Sequence, residues 1–459
     1  SSDLIVVKLK VLKLRNSGMT VRFIFGCLGA LDLVAAPLIA QEMTQGPIGT
    51  VKKQVYVKNT VRNKAPWVWT YTGEPGYREE IHTIWSHDNQ VRGYGDSPTK
   101  PYRRISHDDG KTWSKLTPLP PILTVGENFS IIDWKFCGIY DPLSKRHVDL
   151  SIHHVRDMRQ GSPRRIYNHA LIRLSADGGE MFGSPHMLRY EEGEDFSPET
   201  VLHPEFLKNN TGYPGQSIFR HSNGSLIIPV TNAKIPAEVE DKPVGRSVWP
   251  EKGGIGSLCY VGRWNEKTEA YDWKAGTSVW LSRDDAFNGL LEADVAELGD
   301  GRVLIVWRVT KNGKEKPAYK YFAVSDDGGL TFSKPEVFRY SDGKHFFSSS
   351  TFHRLYRSSK TDKLYWIGNI LPKHTTIPGH PRYPLIIAEI DEKTLGLKKD
   401  SVTEIDTRHA GEGERLQLSN FWVNESQEEK NLEIYLTRLH ENADELYTAN
   451  VYRYTVTFK

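Results

Sequence analysis

One corner recurs three times along this chain. Ser106 to Trp113 reads SHDDGKTW, Ser175 to Phe182 reads SADGGEMF and Ser325 to Phe332 reads SDDGGLTF, so all three fit Ser-x-Asp-x-Gly-x-(Thr or Met)-(Trp or Phe). Ser and Asp side chains bond to nearby backbone groups, Gly takes a positive φ, and the last aromatic packs under the turn; these are the properties of a hairpin corner. The aspartates are therefore read as folding devices and not as catalysts. A fourth segment, SRDDAF from Ser282, keeps the Ser and Asp and loses the glycine.

Each corner follows an apolar strand: PYRRI, ALIRL and YFAV. Further β-branched or aromatic runs of strand length, among them EIHTIW, RHVDLSIHHV, SLIIPVT, RVLIVWRV, KLYWIGNI, YPLIIAEI and LEIYLTRL, are separated by DNQ, SNG, GDG and TDK turns. No long 3.6-residue apolar period competes with them. With 12 Trp, 21 Tyr and glycine spread throughout, the chain reads as ordered and rich in strands.

The repeated S-x-D-x-G-x-T-W segments resemble the Asp-boxes of the sialidase (neuraminidase) superfamily, also called BNR repeats. That resemblance implies an all-β fold, a six-bladed β-propeller of four-stranded antiparallel blades with the boxes at blade corners. Such a propeller accounts for both the length and the repeated turns. The expected blades are 78–118, 130–192, 212–287, 290–340, 345–400 and 414–459, the last closed by a strand from 50–72. The stretches 155–167 and 233–256, rich in Arg, Gly, Pro and Lys, read as loops at one mouth, where a rigid scaffold would hold a ligand.

The first forty residues differ from the rest. From Met19, MTVRFIFGCLGALDLVAAPLIAQ has a basic residue, a mostly apolar run and small residues before Gln41, the pattern of a secretory signal peptide cut after Ala40. Residues 1–40 are thus expected to be signal peptide and upstream residues, and 41–459 a single sialidase-like propeller domain, secreted or periplasmic. No stable membrane span is expected after cleavage, since the run is short. Setting aside five basic and two acidic residues in that segment leaves 55 of each sign, so no nucleic-acid surface is indicated. Cys137 and Cys259 could pair after export, though a separation of 122 positions proves nothing.

The resemblance also implies a site: three arginines gripping a substrate carboxylate, a tyrosine nucleophile polarised by a glutamate, and an aspartate acid/base. The best match is GLLEADVAELGDGRVLIVWR, where Glu292 and Arg308 lie sixteen apart across an Asp-Gly turn. A hairpin brings both to the same end of adjacent strands. Arg78, ten residues before Asp88, stands near the place of the first arginine, but Glu79 and Glu80 replace the family's Ile-Pro. Arg382 enters a fifth-blade strand as the third arginine does. Guanidinium groups make bidentate, charge-assisted bonds to a carboxylate that lysine could not reproduce. Asp96, in YGDSPTKPY, resembles the acid/base aspartate. The nucleophile departs from the pattern: RLQLSNFWVNE offers Leu418, Ser419 and Asn420, and no tyrosine occurs between Tyr383 and Tyr435.

Three functions follow as expectations. The leading one is a glycoside hydrolase of the sialidase type, releasing a terminal acidic sugar from a glycan by an altered nucleophile or direct attack of water. The second is a polysaccharide lyase acting on a uronate-containing polysaccharide, with a base among His82, His87, His153, His154 and Tyr213 and an arginine neutralising the carboxylate. The third is a non-catalytic carbohydrate-binding propeller with Trp67, Trp69, Trp249 or Trp307 as stacking surfaces. No zinc spacing, phosphate-binding glycine loop, Gly-x-Ser-x-Gly elbow or calcium pattern occurs, so no metal and no cofactor is expected. Asn128, Asn209, Asn223 and Asn424 head glycosylation sequons.

Overall fold

The computed structural model describes residues 40–459 apart from 87–98, 120–121, 126–128, 158–163, 192–209, 216, 233–255, 283–284, 312–315, 378 and 446. The expected signal segment, up to residue 39, lies outside the described residues. The remainder is a six-bladed β-propeller, all-β, with one short 3-10 turn.

Blade one runs Lys64–Thr72, Arg78–Ser86, Thr99–Ser106, Thr117–Pro118, in chain order from the axis outward. In blade two, Phe129–Asp141, Arg146–Asp157, Arg164–Ser175 and His186–Met187 follow the same order, with Ile122–Val125 added beside the first strand. Blade three sets Gly212–Pro214 and Phe219–Arg220 against Leu226–Asn232, then Gly256–Asn265 and Ala270–Ala275. Blade four is Ala286–Glu297, Val303–Lys311, Tyr321–Ser325, Glu336–Val337, and blade five is Arg354–Arg357, Leu364–Asn369, Leu385–Asp391 with Gly396–Leu397 and Thr403–Asp406 outside. Blade six takes Phe421–Glu425, Leu432–Thr437 and Val451–Phe458 from the C-terminus and adds Gly49–Val57 and Ala40–Gln45 from the N-terminal side. Pairing of Gly49–Val57 with Val451–Phe458 closes the ring and removes an open edge.

The expected blade limits need one main correction. Of the stretch 50–72 expected to close the last blade, only the part up to Val57 does so; Lys64–Thr72 is instead the inner strand of blade one, which therefore begins before Arg78. The sequence KAPWVWTYT is mostly buried because an inner strand is flanked by neighbouring blades on both faces. Of the stretch expected as a loop at 155–167, the ends 155–157 and 164–167 are strand, and 233–255 lies outside the described residues.

The core is a series of apolar layers between blades. Trp69, Ile81, Leu150, Ile152, Leu226, Ile228 and Leu258 fill the layer shared by blades one to three. Ile227, Cys259, Val295, Ile305 and Trp307 join blades three and four, and Tyr365, Ile367, Leu418, Ile434 and Val456 join five and six. Second strands such as Leu226–Asn232 and Leu432–Thr437 are buried at every position, the polar Thr231, Asn232, Glu433 and Thr437 included. Cys137 and Cys259 are separate free thiols, each buried in these layers.

The three recurring corners lie between third and fourth strands of blades one, two and four. In each, the serine Oγ donates to the aspartate and accepts from the glycine N–H, at 2.8 Å for Gly110, 3.0 Å for Gly179 and 2.8 Å for Gly329. Aspartate Oδ1 accepts the backbone N–H four residues on, from Thr112, Met181 and Thr331. The two central residues have positive φ, 59° and 81° at Asp109 and Gly110, and 75° and 96° at Gly328 and Gly329. The segment at Ser282 is different. Its Oγ bonds Asp285, and it leads into the inner strand of blade four.

Candidate functional site

The corners mark one end of the propeller, since Arg78 pairs with Ser106, His147 with Ser175 and Val303 with Ser325. Inner strands start, and second strands finish, at the opposite end. Arg308 is five residues beyond Val303 along its strand and so lies toward that opposite mouth.

There Arg308 Nη1 donates to both carboxylate oxygens of Glu292 at 2.8 Å, and its Nε donates to Ser350 Oγ at 3.1 Å. Glu292 has φ +41° and sits in a bulge where the pairing register shifts between Leu291 and Asp294. A bulge re-aims a side chain, and a non-glycine residue held in the left-handed region stores strain of the kind found at functional sites. Both side chains keep partial solvent access, 23% for Arg308 and 18% for Glu292.

Arg382 reaches the same mouth from blade five, in the connection between Leu364–Asn369 and Leu385–Asp391. Its Nε donates to Gly379 O at 3.0 Å, and its Nη1 donates to Gln417 Oε1 at 3.2 Å and Ser419 Oγ at 3.1 Å. The two arginines are linked through the polar run Ser348–Thr351, whose four residues are buried. Ser350 holds Arg308, while Ser349 Oγ donates to the carbonyl of Pro381, the residue before Arg382. Lys320, fully buried, pins the same run by donating to Ser349 O at 3.2 Å and to Thr351 O. Burial, then repulsion from Arg308 and Arg382, pushes its ammonium pKa well down, with Glu292 opposing.

Arg78 is not brought to this mouth. It lies at the corner end, 5% exposed, bonded through Nε to Asp109 at 2.6 Å and through Nη1 to Glu433 at 2.5 Å. There the side chain joins blade one to blade six, away from the mouth that holds Arg308 and Arg382. Its neighbours Glu79 and Glu80 face opposite sides of the strand. Glu79 meets Lys135 of blade two at 2.5 Å and Arg103 at 2.8 Å, and Glu80 meets Arg104 at 2.6 Å and Tyr56. Two carboxylates in place of Ile-Pro therefore staple the blade to both neighbours. Asp96, like His87 and Trp249, lies outside the described residues.

No tyrosine among the described residues bonds to Glu292. Where the family's tyrosine would stand, Leu418 and Ser419 are buried, and Leu418 N donates to Arg382 O at 3.0 Å. Tyr435 is buried elsewhere, donating to Glu433 at 3.2 Å.

The histidines divide. His82 bonds Glu80 at 2.7 Å in the network between blades one and six, and His153 lies 3.5 Å from Asp133. His154 Nδ1 lies 2.6 Å from Asn168 Oδ1, and its ring centroid is 6.2 Å from that of Tyr213. Trp307 is fully buried. Trp67 and Trp69 belong to an aromatic cluster with Trp85, Trp134 and Trp422, whose successive centroids lie 5.1 to 6.4 Å apart. Trp422 is three residues from Ser419, so this cluster continues from the Arg382 side of the mouth across blades six, one and two.

Sequence reading missed Lys320, Ser349, Ser350 and Gln417. The one signal for them was FFSSST at 346–351, four hydroxyl residues in succession where alternation predicts apolar ones. Asn424 is corrected as a glycosylation acceptor, being buried with its amide on Thr70. Among the described residues no group of His, Cys, Asp and Glu is arranged to hold a metal, and no helix is long and apolar enough to cross a membrane.

No family model and no curated protein matches the sequence. Solved structures do resemble the fold. An intramolecular trans-sialidase from Ruminococcus gnavus, determined with oseltamivir carboxylate, superposes with TM-score 0.50 over 94% of this chain and 98% of its own, at 12% identity. An N-acetylgalactosamine deacetylase from F. plautii gives 0.40 over 91% and 95% at 10% identity. A GH43_1 enzyme from Xanthomonas citri gives 0.36 over 67% and 82% at 11% identity.

Proposed function

We propose that this propeller is a glycoside hydrolase of the sialidase type that releases a terminal acidic sugar from a glycan. The observation that carries the reading is that Arg308 and Arg382, from different blades, are tied to the same run Ser349–Ser350 at one mouth, with Glu292, whose backbone is held at positive φ, bonded to Arg308. Two guanidinium groups set on rigid strands present a fork to a carboxylate, and the hydroxyls of Ser350 and Ser419 hold that fork in place.

With no tyrosine bonded to Glu292 in the described structure, the reaction proposed is direct attack of water. Glu292 takes the proton from the water as it adds to the anomeric carbon, and Asp96, outside the described residues, gives one to the leaving oxygen. The Asp-box reading of the three corners and the secreted or periplasmic location belong to this proposal. The location rests on the apolar run that precedes Gln41.

The test is incubation of the purified protein with sialyl glycosides and uronate-containing polysaccharides. Release of free acidic sugar, with inverted configuration by NMR, is expected. Retained configuration would overturn the water mechanism, and no release with any substrate would overturn hydrolysis. The second reading, β-elimination, is favoured by the His154 and Tyr213 pair; it requires growth of ultraviolet absorbance from unsaturated uronate.

A further inference from the structure

Beside Arg382 the backbone lays three strips of chain together. Arg382 forms a parallel bridge with Gln417, and Gln417 an antiparallel one with Leu439. Parallel register places His380 alongside Arg415, two residues back on each strip. The third strip brings in His440, whose φ of +64° turns the chain at that point. Gly413 is needed for this approach, since a Cβ there would stand 2.4 Å from His440 O.

The result is a cluster of two guanidinium groups, Arg382 and Arg415, with the imidazoles of His380 and His440. Neither ring nitrogen of His440 has a side-chain hydrogen-bond partner, the backbone of Arg415 being the group that favours its charged form, and Nδ1 of His380 has no partner. The other groups near it are accounted for. Glu441 is bound to Arg438 at 3.0 Å, Glu412 is also bound to Arg438, Glu414 lies on the exposed side, and Tyr447 packs its ring against His440 at 5.6 Å. Burial, then the charges of Arg382, His440 and Arg415, lowers the pKa of His380; burial lowers that of His440, opposed by the backbone of Arg415 and aided by the charges of Arg415 and Arg382.

We propose that His380, Arg415 and His440 form a second anion subsite beside the Arg308 and Arg382 fork, taking a sulfate or phosphate ester on the sugar or on its neighbour. Imidazoles next to arginines and lacking a carboxylate partner are completed by an oxyanion, which accepts their N–H bonds and offsets the repulsion. The inference rests on the proposed acidic-glycan function and narrows its substrate to a glycan with two anionic groups. An oxyanion raises the imidazole pKa values, so its binding takes up protons. Affinity therefore rises as pH falls through the range in which free His380 and His440 would charge.

The test is calorimetric titration of the full chain with inorganic sulfate and, separately, N-acetylneuraminate. Sulfate is expected to bind more tightly at lower pH, to bind with N-acetylneuraminate already present, and to lose about tenfold in affinity in Arg415→Ala and again in His440→Gln. Arg308→Ala is expected to lose the sugar acid and keep sulfate. Sulfate binding that is unchanged in Arg415→Ala and His440→Gln, or fully displaced by N-acetylneuraminate, overturns the subsite, as does absence of sulfate binding. Binding of sulfate with these dependences but of no sugar acid sustains the subsite and counts against the proposed function instead.

Discussion

Glu292 and Arg308 are sixteen residues apart in sequence and 2.8 Å apart in space, joined by a guanidinium nitrogen that serves both carboxylate oxygens. The hairpin turn supplies the closeness and the bulge at Glu292 supplies the aim. Arg308→Ala is expected to leave the far-ultraviolet circular dichroism of the propeller intact and to weaken binding of an acidic sugar by about tenfold or more, the worth of a charge-assisted bond. Unaltered affinity would remove Arg308 from the site.

Glu292→Gln keeps the size of the side chain and an acceptor for Arg308 while removing the base. Turnover is expected to fall about 100-fold or more with little change in affinity for the sugar acid. An equal fall in affinity, with turnover of bound substrate unchanged, would make Glu292 a binding group only.

Arg78→Ala separates a role between blades from a role in carboxylate binding. Its removal leaves Asp109 without its cation and Glu433 with only Arg453, at 3.4 Å, a loss of about 3 kcal/mol in urea unfolding. Affinity for acidic sugars in the folded variant is expected to stay at the wild-type value, the opposite of the outcome for Arg308→Ala.

Asp327→Ala removes the acceptor that gathers the hydroxyls of Ser325 and Thr331 and the backbone N–H groups of Leu330 and Thr331. A loss of about 1 kcal/mol is expected, without effect on ligand binding. A lost activity with preserved stability would contradict a purely structural corner.

Asp149 shares the ammonium of Lys135 with Glu79, each at 2.5 Å. Burial raises its pKa to about 6 from the ordinary 3.8; Lys135 opposes the shift and Glu79 adds to it. A raised acid holds its proton more tightly in the folded state, so its contribution is present below the ordinary value and is lost as pH rises through the folded one. Asp149→Asn is expected to gain on the wild type between about pH 4 and about pH 7 in urea midpoints. A constant difference over that range would remove this titration.

The corners explain why the fold was legible. Ser106, Asp108 and Gly110 satisfy one another within a few residues, so the turn is written locally and its repetition implies repeated sheets. The Glu292 and Arg308 hairpin was legible for the same reason, since register across a short turn is fixed by that turn. The place of Arg78 at the corner end was not legible, because spacing from a turn gives a strand position but not which end of the propeller the position occupies. Lys64–Thr72 failed because an inner strand and a closing strand have the same apolar pattern.

What the sequence determined by itself was local: the corners, the alternating strands, the all-β class and one carboxylate beside one guanidinium. Only tertiary structure decided the rest. Arg382 joins Arg308 through Ser349, Ser350 and Lys320, groups from different blades and connections, and the ring closes by pairing 49–57 with 451–458. Contacts across such sequence distances depend on how blades pack around an axis. No hydrophobic period or turn residue in one segment encodes that arrangement.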